Sequence, residues 1–397
     1  MEQNRSDSII VYSTVWCPDC KRAKQFFGEQ RVPYVNVDIE HDAEAMAFVE
    51  QINNGKRIIP TIVFPDGSIL VEPSNADLAA KLGLQTKAQR DFYDSIVVGG
   101  GPAGLTAALY MAREGLDILV IERAALGGQA GITQVLDNFP GFDEGISGAE
   151  FAARLERQAR RFGVEILRAQ EVMDISEERG YLCLTTVAGH EYGTKAALLA
   201  TGAHYRKLGV PSEDDLIGVN IHFCATCDGA FYKGKKVLVV GGGNSGFEEG
   251  LFLTKFATQV DIVESGPQPK ASRIAQDKVA EMPNMSVILN HAIKAFKGKN
   301  KLEAIIVEDR LTGELEEWHY DGVFVFIGLT PNSMLVKDKA GLDQHGFVVT
   351  DKTLMTSIPG LFAAGDLRAG STKQAASAAG EGATAALMIR EYLKEVG

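Results

Sequence analysis

Two Cys-x-x-Cys pairs are the residues of this sequence best suited to chemistry. Cys17 and Cys20 form the first pair, Cys224 and Cys227 form the second, and Asp228 directly follows the second. Two thiols at this spacing can open and close a disulfide, and a neighbouring carboxylate can carry the proton that each step requires. The residues therefore indicate a redox protein with two dithiol centres, in which Asp228 is the proton carrier of the second.

A metal site built from the same four thiols is the alternative. Zinc ribbons separate their two pairs by about 15–20 residues, whereas Cys20 and Cys224 belong to different modules of the sequence. None of the seven histidines has a spacing typical of a metal ligand. We therefore predict that the protein binds no metal ion.

The first pair stands at the predicted start of a helix. Cys17 comes just before a helix expected over 18–27, and the dipole of such a helix stabilises a thiolate at its N-terminus. Cys17 is therefore the predicted attacking thiol, and Cys20, one turn into the helix, is its resolving partner. A cis Ile59–Pro60 bond is expected beside this pair.

Two glycine-rich turns, over 99–104 and 241–246, each follow an apolar strand and open a helix. In both units an acid, Glu122 or Glu264, ends the next strand 23 positions after the first glycine. Such a turn lets the backbone approach a pyrophosphate, and the acid accepts hydrogen bonds from a ribose. A glycine turn of an ordinary α/β domain is the alternative. Repetition of the whole pattern favours one flavin and one nicotinamide dinucleotide.

Length and composition set broad limits. The 397 residues suit two or three domains, and the net charge of −12 without a basic run excludes a typical nucleic-acid-binding protein. No apolar run reaches the roughly 20 residues that span a bilayer, and the N-terminus lacks the apolar core of a signal peptide. We expect a cytoplasmic protein without a membrane partner, in which paired cysteines are catalytic rather than structural.

The elements that position these residues alternate between strand and helix. Before the linker we expect strands over 9–12 and 34–38, helices over 18–27 and 43–52, and a hairpin turn at 65–67. Ser74 or Asn75 is expected to cap a last short helix. The polar stretch 85–91 contains no periodic apolar residues and predicts a linker.

From Tyr93 to its C-terminus the chain resembles the low-molecular-weight thioredoxin reductases. The motifs that carry the resemblance lie at 99–104, 127–129, 138–141, 200–203, 224–229, 241–246, 327–332 and 363–366. The resemblance implies that Cys227 faces the flavin, that Cys224 exchanges with the substrate disulfide and that Asp228 handles protons.

The same resemblance implies the cofactor contacts. Those expected for FAD are Gly99, Gly101, Pro102, Ala103, Gly104, Glu122, Gly128, Gln129, Asn138, Ala200, Gly365, Asp366, Gln374 and Ala375. Those expected for the nicotinamide nucleotide are Gly241, Gly243, Asn244, Ser245, Gly246 and Glu264.

Residues 6–84 resemble glutaredoxins of the mycoredoxin-like branch, through 16–20, 37–41, 59–61 and 73–74. Many glutaredoxins have a Gly-Gly that contacts glutathione where this chain has Pro73-Ser74-Asn75, so the resemblance does not extend to that contact. Together the two resemblances imply an α/β protein: a thioredoxin-like fold followed by two Rossmann-like dinucleotide-binding domains, the second inserted in the first.

The expected domain boundaries follow from these motifs. They are 1–84 for the glutaredoxin-like domain, 85–92 for the linker, 93–205 and 330–397 for the FAD-binding domain, and 206–329 for the NAD(P)H-binding and redox-disulfide domain. The reductase resemblance further implies a homodimer whose two nucleotide domains rotate between flavin reduction and disulfide reduction.

One departure from the reductase pattern concerns the electron donor. The NADPH-dependent reductases place a His-Arg-Arg cluster after the second unit for the 2′-phosphate, whereas this chain has Glu264, Ser265 and Gly266, with Lys270 as the nearest base. A carboxylate repels a 2′-phosphate and accepts hydrogen bonds from a free ribose hydroxyl. The stretch 264–270 resembles the flavoprotein component of alkyl hydroperoxide reductase. We therefore predict NADH rather than NADPH.

The leading hypothesis is an FAD-dependent NADH:disulfide oxidoreductase with its glutaredoxin-like acceptor on the same chain. Electrons would pass from NADH through FAD and the second dithiol to the first, and on to a protein or low-molecular-weight disulfide. The alternatives are an NADH-dependent peroxiredoxin reductase, a reductase with another donor such as ferredoxin, and a flavin-binding redox sensor with little turnover.

Overall fold

The computed structural model describes residues 8–133, 135–136 and 138–396. The N-terminal part alternates short strands and helices, and a four-stranded sheet of order β2-β1-β3-β4 forms its centre. The elements are β1 (Ile9–Ser13), α1 (Pro18–Glu29), β2 (Tyr34–Asp38), α2 (Ala43–Ile52), β3 (Thr61–Val63), β4 (Ile69–Val71) and α3 (Asn75–Lys81).

Local sequence explains the limits of these elements. Apolar side chains on β1, α1, β3 and α3 form one buried core that includes Val11, Phe27 and Leu78. Ser74 caps α3 and exchanges hydrogen bonds with Asp77 in a capping box. The hairpin between β3 and β4 and the cis Ile59–Pro60 bond are confirmed, and α1 continues two residues beyond its predicted end.

The first nucleotide-binding body begins at β5, one residue earlier than the predicted module. Its elements are β5 (Phe92–Val98), α4 (Pro102–Arg113), β6 (Ile118–Ile121), α5 (Gly148–Arg161), β7 (Glu165–Leu167), β8 (Val172–Glu178), β9 (Tyr181–Thr186) and β10 (Glu191–Leu199). The strand β11 (Ala203–Tyr205) then leads out of this body.

The second body contains a five-stranded parallel sheet and a three-stranded antiparallel sheet. Its elements are α6 (Glu213–Leu216), β12 (Ile221–His222), α7 (Ala225–Asp228), β13 (Lys236–Val240), α8 (Asn244–Leu253), β14 (Gln259–Glu264), α9 (Arg273–Ala280), β15 (Met285–Leu289), β16 (His291–Lys297), β17 (Ala304–Asp309), β18 (Leu315–Trp318) and β19 (Gly322–Val325). The chain returns through β20 (Leu329–Pro331), β21 (Leu361–Ala363) and α10 (Ala375–Val396).

Strand pairing shows how the second body is inserted in the first. β11 and β20, which leave and re-enter the first body, pair antiparallel with Ala203 opposite Pro331. β21 then pairs with β10 in the seven-stranded sheet, so that sheet contains strands from both sides of the insertion. The predicted α/β fold class, with a thioredoxin-like fold before two nested Rossmann-like domains, is confirmed.

The segment predicted as a linker is held against the first nucleotide-binding body. Arg168 N donates to Gln85 O at 2.9 Å, and Ala88 N donates to the Tyr192 hydroxyl at 3.1 Å. These bonds satisfy backbone groups that a free linker would leave to water. In the part of the chain that the structure describes, no helix is long and apolar enough to cross a membrane.

Candidate active site

One cavity brings together most of the residues that the sequence analysis selected. It is bordered by the first glycine turn, by the loop after β6, by the ends of β10 and β21, and by the start of α7. The predicted residues that line it are Gly101, Pro102, Ala103, Glu122, Gly128, Gln129, Asn138, Ala200, Gly365, Asp366, Gln374, Ala375, Cys224 and Asp228.

Gly99 and Gly104 do not line the cavity but shape the turn behind it. Gly99 has a φ of 107°, and a Cβ on it would lie 2.4 Å from Ala200 O. No L side chain fits there, so the glycine allows the end of β5 to lie directly against the end of β10. At Gly101, by contrast, a Cβ would meet open space, so bare backbone faces the cavity at the N-terminus of α4.

The Glu122 carboxylate is fixed at the cavity wall by two backbone groups. Its Oε2 accepts a hydrogen bond from Gly100 N at 2.7 Å, and its Oε1 accepts one from Ala124 N at 2.7 Å. These bonds tie the acid at the end of β6 to the glycine turn. The remaining lone pairs of the carboxylate are available to hydroxyl donors in the cavity.

Asp366 is a second acid in the wall, and its environment is different. Its Oδ1 is buried and has no hydrogen-bond partner among the described residues. Burial raises the pKa of Asp366, although the nearby Lys373 ammonium acts in the opposite direction. An unpaired buried acceptor is costly in an isolated protein, so this oxygen is suited to a donor from a bound molecule.

The second dithiol enters the cavity from the inserted body. Cys224 lines the cavity just before α7, and the neighbouring Phe223 ring stacks on Tyr205 with centroids 5.2 Å apart. Cys227 lies in α7, but its side chain lies outside the described part of the structure. Its expected orientation towards a flavin therefore stays a prediction.

A buried histidine beside Asp228 is a feature that sequence reasoning missed. His222 Nδ1 lies 3.4 Å from Asp228 Oδ2, and its Nε2 lies 2.7 Å from the Tyr232 hydroxyl. Burial raises the pKa of Tyr232 to about 12, so its hydroxyl stays neutral and can donate to the imidazole. The only sequence signal was the position of His222 two residues before Cys224.

The second glycine turn, between β13 and α8, repeats the geometry of the first. Gly241, Gly243, Asn244, Ser245 and Gly246 form the turn and the start of α8. The acid at the end of β14, Glu264, accepts hydrogen bonds from two backbone N–H groups.

Glu264 is nearly fully buried at the second turn. Its Oε2 accepts from Gly242 N at 2.8 Å and its Oε1 from Gly266 N at 2.8 Å. Burial opposes ionisation, but these two bonds, the Lys270 charge and the Ser265 hydroxyl together outweigh it, and the pKa of Glu264 is lowered. Arg310, a base that sequence reasoning also missed, donates to Ser265 O at 2.9 Å.

The first dithiol lies at the start of α1 in the N-terminal domain. Cys17 and Cys20 form a disulfide with Cα atoms 5.2 Å apart, and Cys17 is the N-cap of α1. Cys17 Sγ accepts from Cys20 N at 3.0 Å and lies 3.8 Å from Ile59 O, next to the cis bond. Trp16 beside it is 62% exposed, whereas Cys17 and Cys20 are buried. A partner protein can therefore contact this end of the domain at Trp16.

The sequence pattern of the pyridine nucleotide-disulphide oxidoreductase family matches residues 93–382. The chain belongs to this family. The glutaredoxin pattern matches residues 9–69. The protein is accordingly an oxidoreductase that acts on disulfides, with a glutaredoxin domain in front of its reductase domains.

Named relatives agree with this assignment. The chain is 38% identical to the thioredoxin reductase of Bacillus subtilis (strain 168) over 78% of its own length and 97% of the relative's. It is 40% identical to the 34.2 kDa protein in the rubredoxin operon of Clostridium pasteurianum, over 76% of this chain and 97% of that one. The crystal structure of thioredoxin reductase from Streptococcus pyogenes MGAS5005 superposes with a TM-score of 0.71 at 38% identity, covering 77% of this chain and 99% of that one.

The cavity fits the FAD that this family uses together with a nicotinamide nucleotide. The bare backbone at Gly101 and the helix N-terminus behind it suit a pyrophosphate. The Glu122 carboxylate suits a ribose, and the unpaired Asp366 oxygen suits a further hydroxyl donor. Among the described residues no cluster of metal-ligating side chains is present.

Substitution of Asp366 by alanine should weaken FAD binding by roughly tenfold or more, because it removes a buried acceptor placed for the cofactor. Titration of the apoprotein with FAD, followed by flavin fluorescence, measures the dissociation constant. Asp214→Ala, at an exposed acid paired with Lys207, is the matched control and should leave it unchanged. Equal affinity for both variants would show that Asp366 does not contact the cofactor.

His222→Leu should slow electron transfer between the flavin and the second dithiol about tenfold, because Asp228 loses a buried partner. Stopped-flow measurement of flavin reoxidation over a range of pH gives the rate and the pKa that governs it. If His222 positions Asp228, the curve of reoxidation rate against pH should be displaced in His222→Leu. An unchanged curve contradicts this role. His190→Leu, at a histidine in the turn between β9 and β10 of the first nucleotide-binding body, is the control.

Proposed function

We propose that the protein transfers electrons from NADH through FAD and the Cys224/Cys227 dithiol to the Cys17/Cys20 dithiol, and from there to a protein or low-molecular-weight disulfide. The observation that carries the proposal is that Cys224 and Asp228 line the same cavity as the residues expected to bind FAD. The glutaredoxin domain adds a second Cys-x-x-Cys pair, in its disulfide form, on the same chain.

Asp228 is the residue that we expect to move protons at the second dithiol. When bound, FAD accepts a hydride from the nicotinamide and passes two electrons to a disulfide. Reduction of that disulfide to two thiols consumes two protons. Asp228 lies in the cavity wall beside Cys224, and His222 holds its carboxylate, so it can deliver one of them to the leaving thiolate.

NADH is the proposed donor because of the Glu264 carboxylate. Its lowered pKa keeps it negatively charged at neutral pH, at the end of β14 where a ribose is expected. A negative group there repels a 2′-phosphate and can accept from a free hydroxyl. The bases Lys270 and Arg310 lie near this acid and act in the opposite direction on a 2′-phosphate. The ratio of the rates with NADH and NADPH measures the net effect of these charges.

Glu264→Arg should lower the ratio of kcat/KM for NADH to that for NADPH by about tenfold or more, since it replaces a repelling charge by an attracting one. Initial rates with both donors and a disulfide acceptor give the ratio. Glu281→Arg, on the surface after α9, is the control for added positive charge. A wild-type preference for NADPH would overturn the proposal, and flavin reduction by ferredoxin alone would indicate the other donor.

The glutaredoxin domain is proposed as the electron acceptor of the second dithiol. Linking it to the reductase raises its effective concentration to the order of millimolar. Glutaredoxin dithiols have potentials of about −200 to −230 mV, above the roughly −270 mV of thioredoxin. A dithiol with a potential low enough to reduce thioredoxin therefore reduces a glutaredoxin disulfide in a downhill step. A relative whose name combines a reductase with a redox acceptor is the bifunctional thioredoxin reductase/thioredoxin of Mycobacterium leprae (strain TN), 40% identical over 78% of this chain and 67% of that one.

Cys17→Ser should abolish NADH-dependent reduction of the final disulfide while leaving flavin reduction intact, because the attacking thiol of the acceptor is lost. The test compares mixed low-molecular-weight disulfides, thioredoxin and a peroxiredoxin as acceptors, which also separates the peroxiredoxin alternative. Cys183→Ser, at the half-buried free cysteine of β9, is the control. Unchanged reduction of every acceptor would mean that the glutaredoxin domain takes no part.

We also propose the homodimer that the reductase resemblance implies, and sedimentation of the same samples measures the oligomeric state.

A further inference from the structure

The glutaredoxin domain contacts the FAD-binding body through the C-terminal end of α1. Ala125 N donates to Glu29 O at 2.9 Å, and Gln30 Nε2 donates to Arg123 O at 3.0 Å. Gln30 is buried, so these bonds are shielded from water. The contact therefore lies against the loop that follows β6, which is one wall of the cavity.

Arg31 extends this contact into the cavity itself. Its Nη1 donates to Leu126 O at 2.8 Å and its Nη2 to Gly128 O at 2.9 Å. The residue has a φ of 53°, in the left-handed region that side chains other than glycine rarely adopt. It lines the cavity together with Glu122, Gly128 and Gln129. The glutaredoxin domain thus contributes Arg31 to the wall of the cavity.

The charged groups that act on Arg31 belong to the FAD-binding body. The Glu122 carboxylate and the Arg168 guanidinium are the charged groups that act on it, the first favouring and the second opposing its positive charge. Burial further lowers the pKa of Arg31, although an arginine stays protonated at any working pH. A permanent cation at the ribose-binding end of the cavity suits the anionic adenosine diphosphate half of FAD.

A second set of contacts holds the domain in the same place. Ala169, on the loop after β7, packs on the hydrophobic core of the glutaredoxin domain beside Leu82 and Leu84. Arg168 N donates to Gln85 O in the linker at 2.9 Å. The docked position of Arg31 is therefore supported from two sides and does not depend on its own hydrogen bonds alone.

From these contacts we infer that Arg31 is a wall residue of the FAD site, so that FAD binding and docking of the glutaredoxin domain stabilise each other. The inference rests on the proposed use of FAD. Coupling between two binding events is reciprocal, and typical couplings change an affinity by about 5- to 150-fold. Loss of FAD should loosen the domain, and loss of the contact should weaken FAD binding.

The docked position of the domain also determines where the Cys17/Cys20 dithiol lies. Cys17 lies at the N-terminus of α1, whereas the contact with the FAD-binding body lies at its other end. A helix of 12 residues is about 18 Å long. The docked domain therefore presents its dithiol away from the end of α1 that contacts the cavity wall, so transfer from Cys224 within one chain requires one of the domains to move.

Gly131 offers a probe that leaves the glutaredoxin domain unchanged. A Cβ on Gly131 would lie 2.2 Å from Arg31 Nη1, so an alanine there forces the guanidinium to move. The end of a flexible side chain can yield at little cost to the fold. Gly131→Ala and Arg31→Ala thus remove the same contact from opposite sides, and either can stand for the other if one variant fails to fold.

The test measures FAD affinity and domain docking separately, without turnover. Apoprotein titration with FAD should give a dissociation constant raised about tenfold for Arg31→Ala and Gly131→Ala. Arg57→Ala, at an exposed arginine of the same domain paired with Glu50, should bind FAD like the wild type. Hydrogen exchange should show that FAD protects residues 29–32 and 123–128 in the wild type and in Arg57→Ala, and protects 29–32 much less in the two contact variants.

Two results would overturn the inference. One is an unchanged FAD affinity in both contact variants, and the other is exchange at 29–32 that does not respond to FAD in the wild type. A wild-type apoprotein that binds no FAD at all would instead contradict the proposed function, and the inference with it.

Discussion

Three parallel strands that end side by side determine where the chemistry of this protein takes place. Val98 at the end of β5 lies opposite Leu199 of β10, and Leu199 lies opposite Ala363 of β21. The glycine turn, Ala200 and the Gly365-Asp366 pair all follow these three residues, so they meet at one edge of the sheet. The close approach at Gly99 makes this register possible, because a side chain there would collide with the carbonyl of Ala200.

The two nucleotide-binding units use one physical device twice. In each, a carboxylate at the end of the second strand accepts a hydrogen bond from the backbone of the middle glycine. The bond fixes the acid and the turn relative to each other before any ligand arrives, which lowers the entropy lost on binding. The units differ in the positive charges near the acid: Arg31 of another domain acts with Glu122, whereas Lys270 acts on Glu264 and Arg310 binds the carbonyl of the adjacent Ser265.

The two dithiols are embedded in contrasting ways. Cys224 lies in the cavity wall, next to a carboxylate that a buried histidine supports. Cys17 caps an exposed helix end whose opposite end is bound to the FAD-binding body. In the proposed function this division assigns the receipt of electrons to the dithiol in the cavity wall and their delivery to the dithiol at the exposed end of α1.

Sequence alone determined the elements and motifs whose causes are local. The glycine turns, the acids that close them, the Ser74 cap and the cis proline could be predicted because each depends on residues close together in the chain. The cavity residues were predicted through family motifs rather than through contacts. Only the tertiary structure brought Arg31 to Leu126 and Gly128, Arg310 to Ser265, and the linker to the strands beside it. These contacts are single hydrogen bonds between residues far apart in the chain, and neither the periodicity nor the spacing of a sequence indicates which distant group a donor will meet.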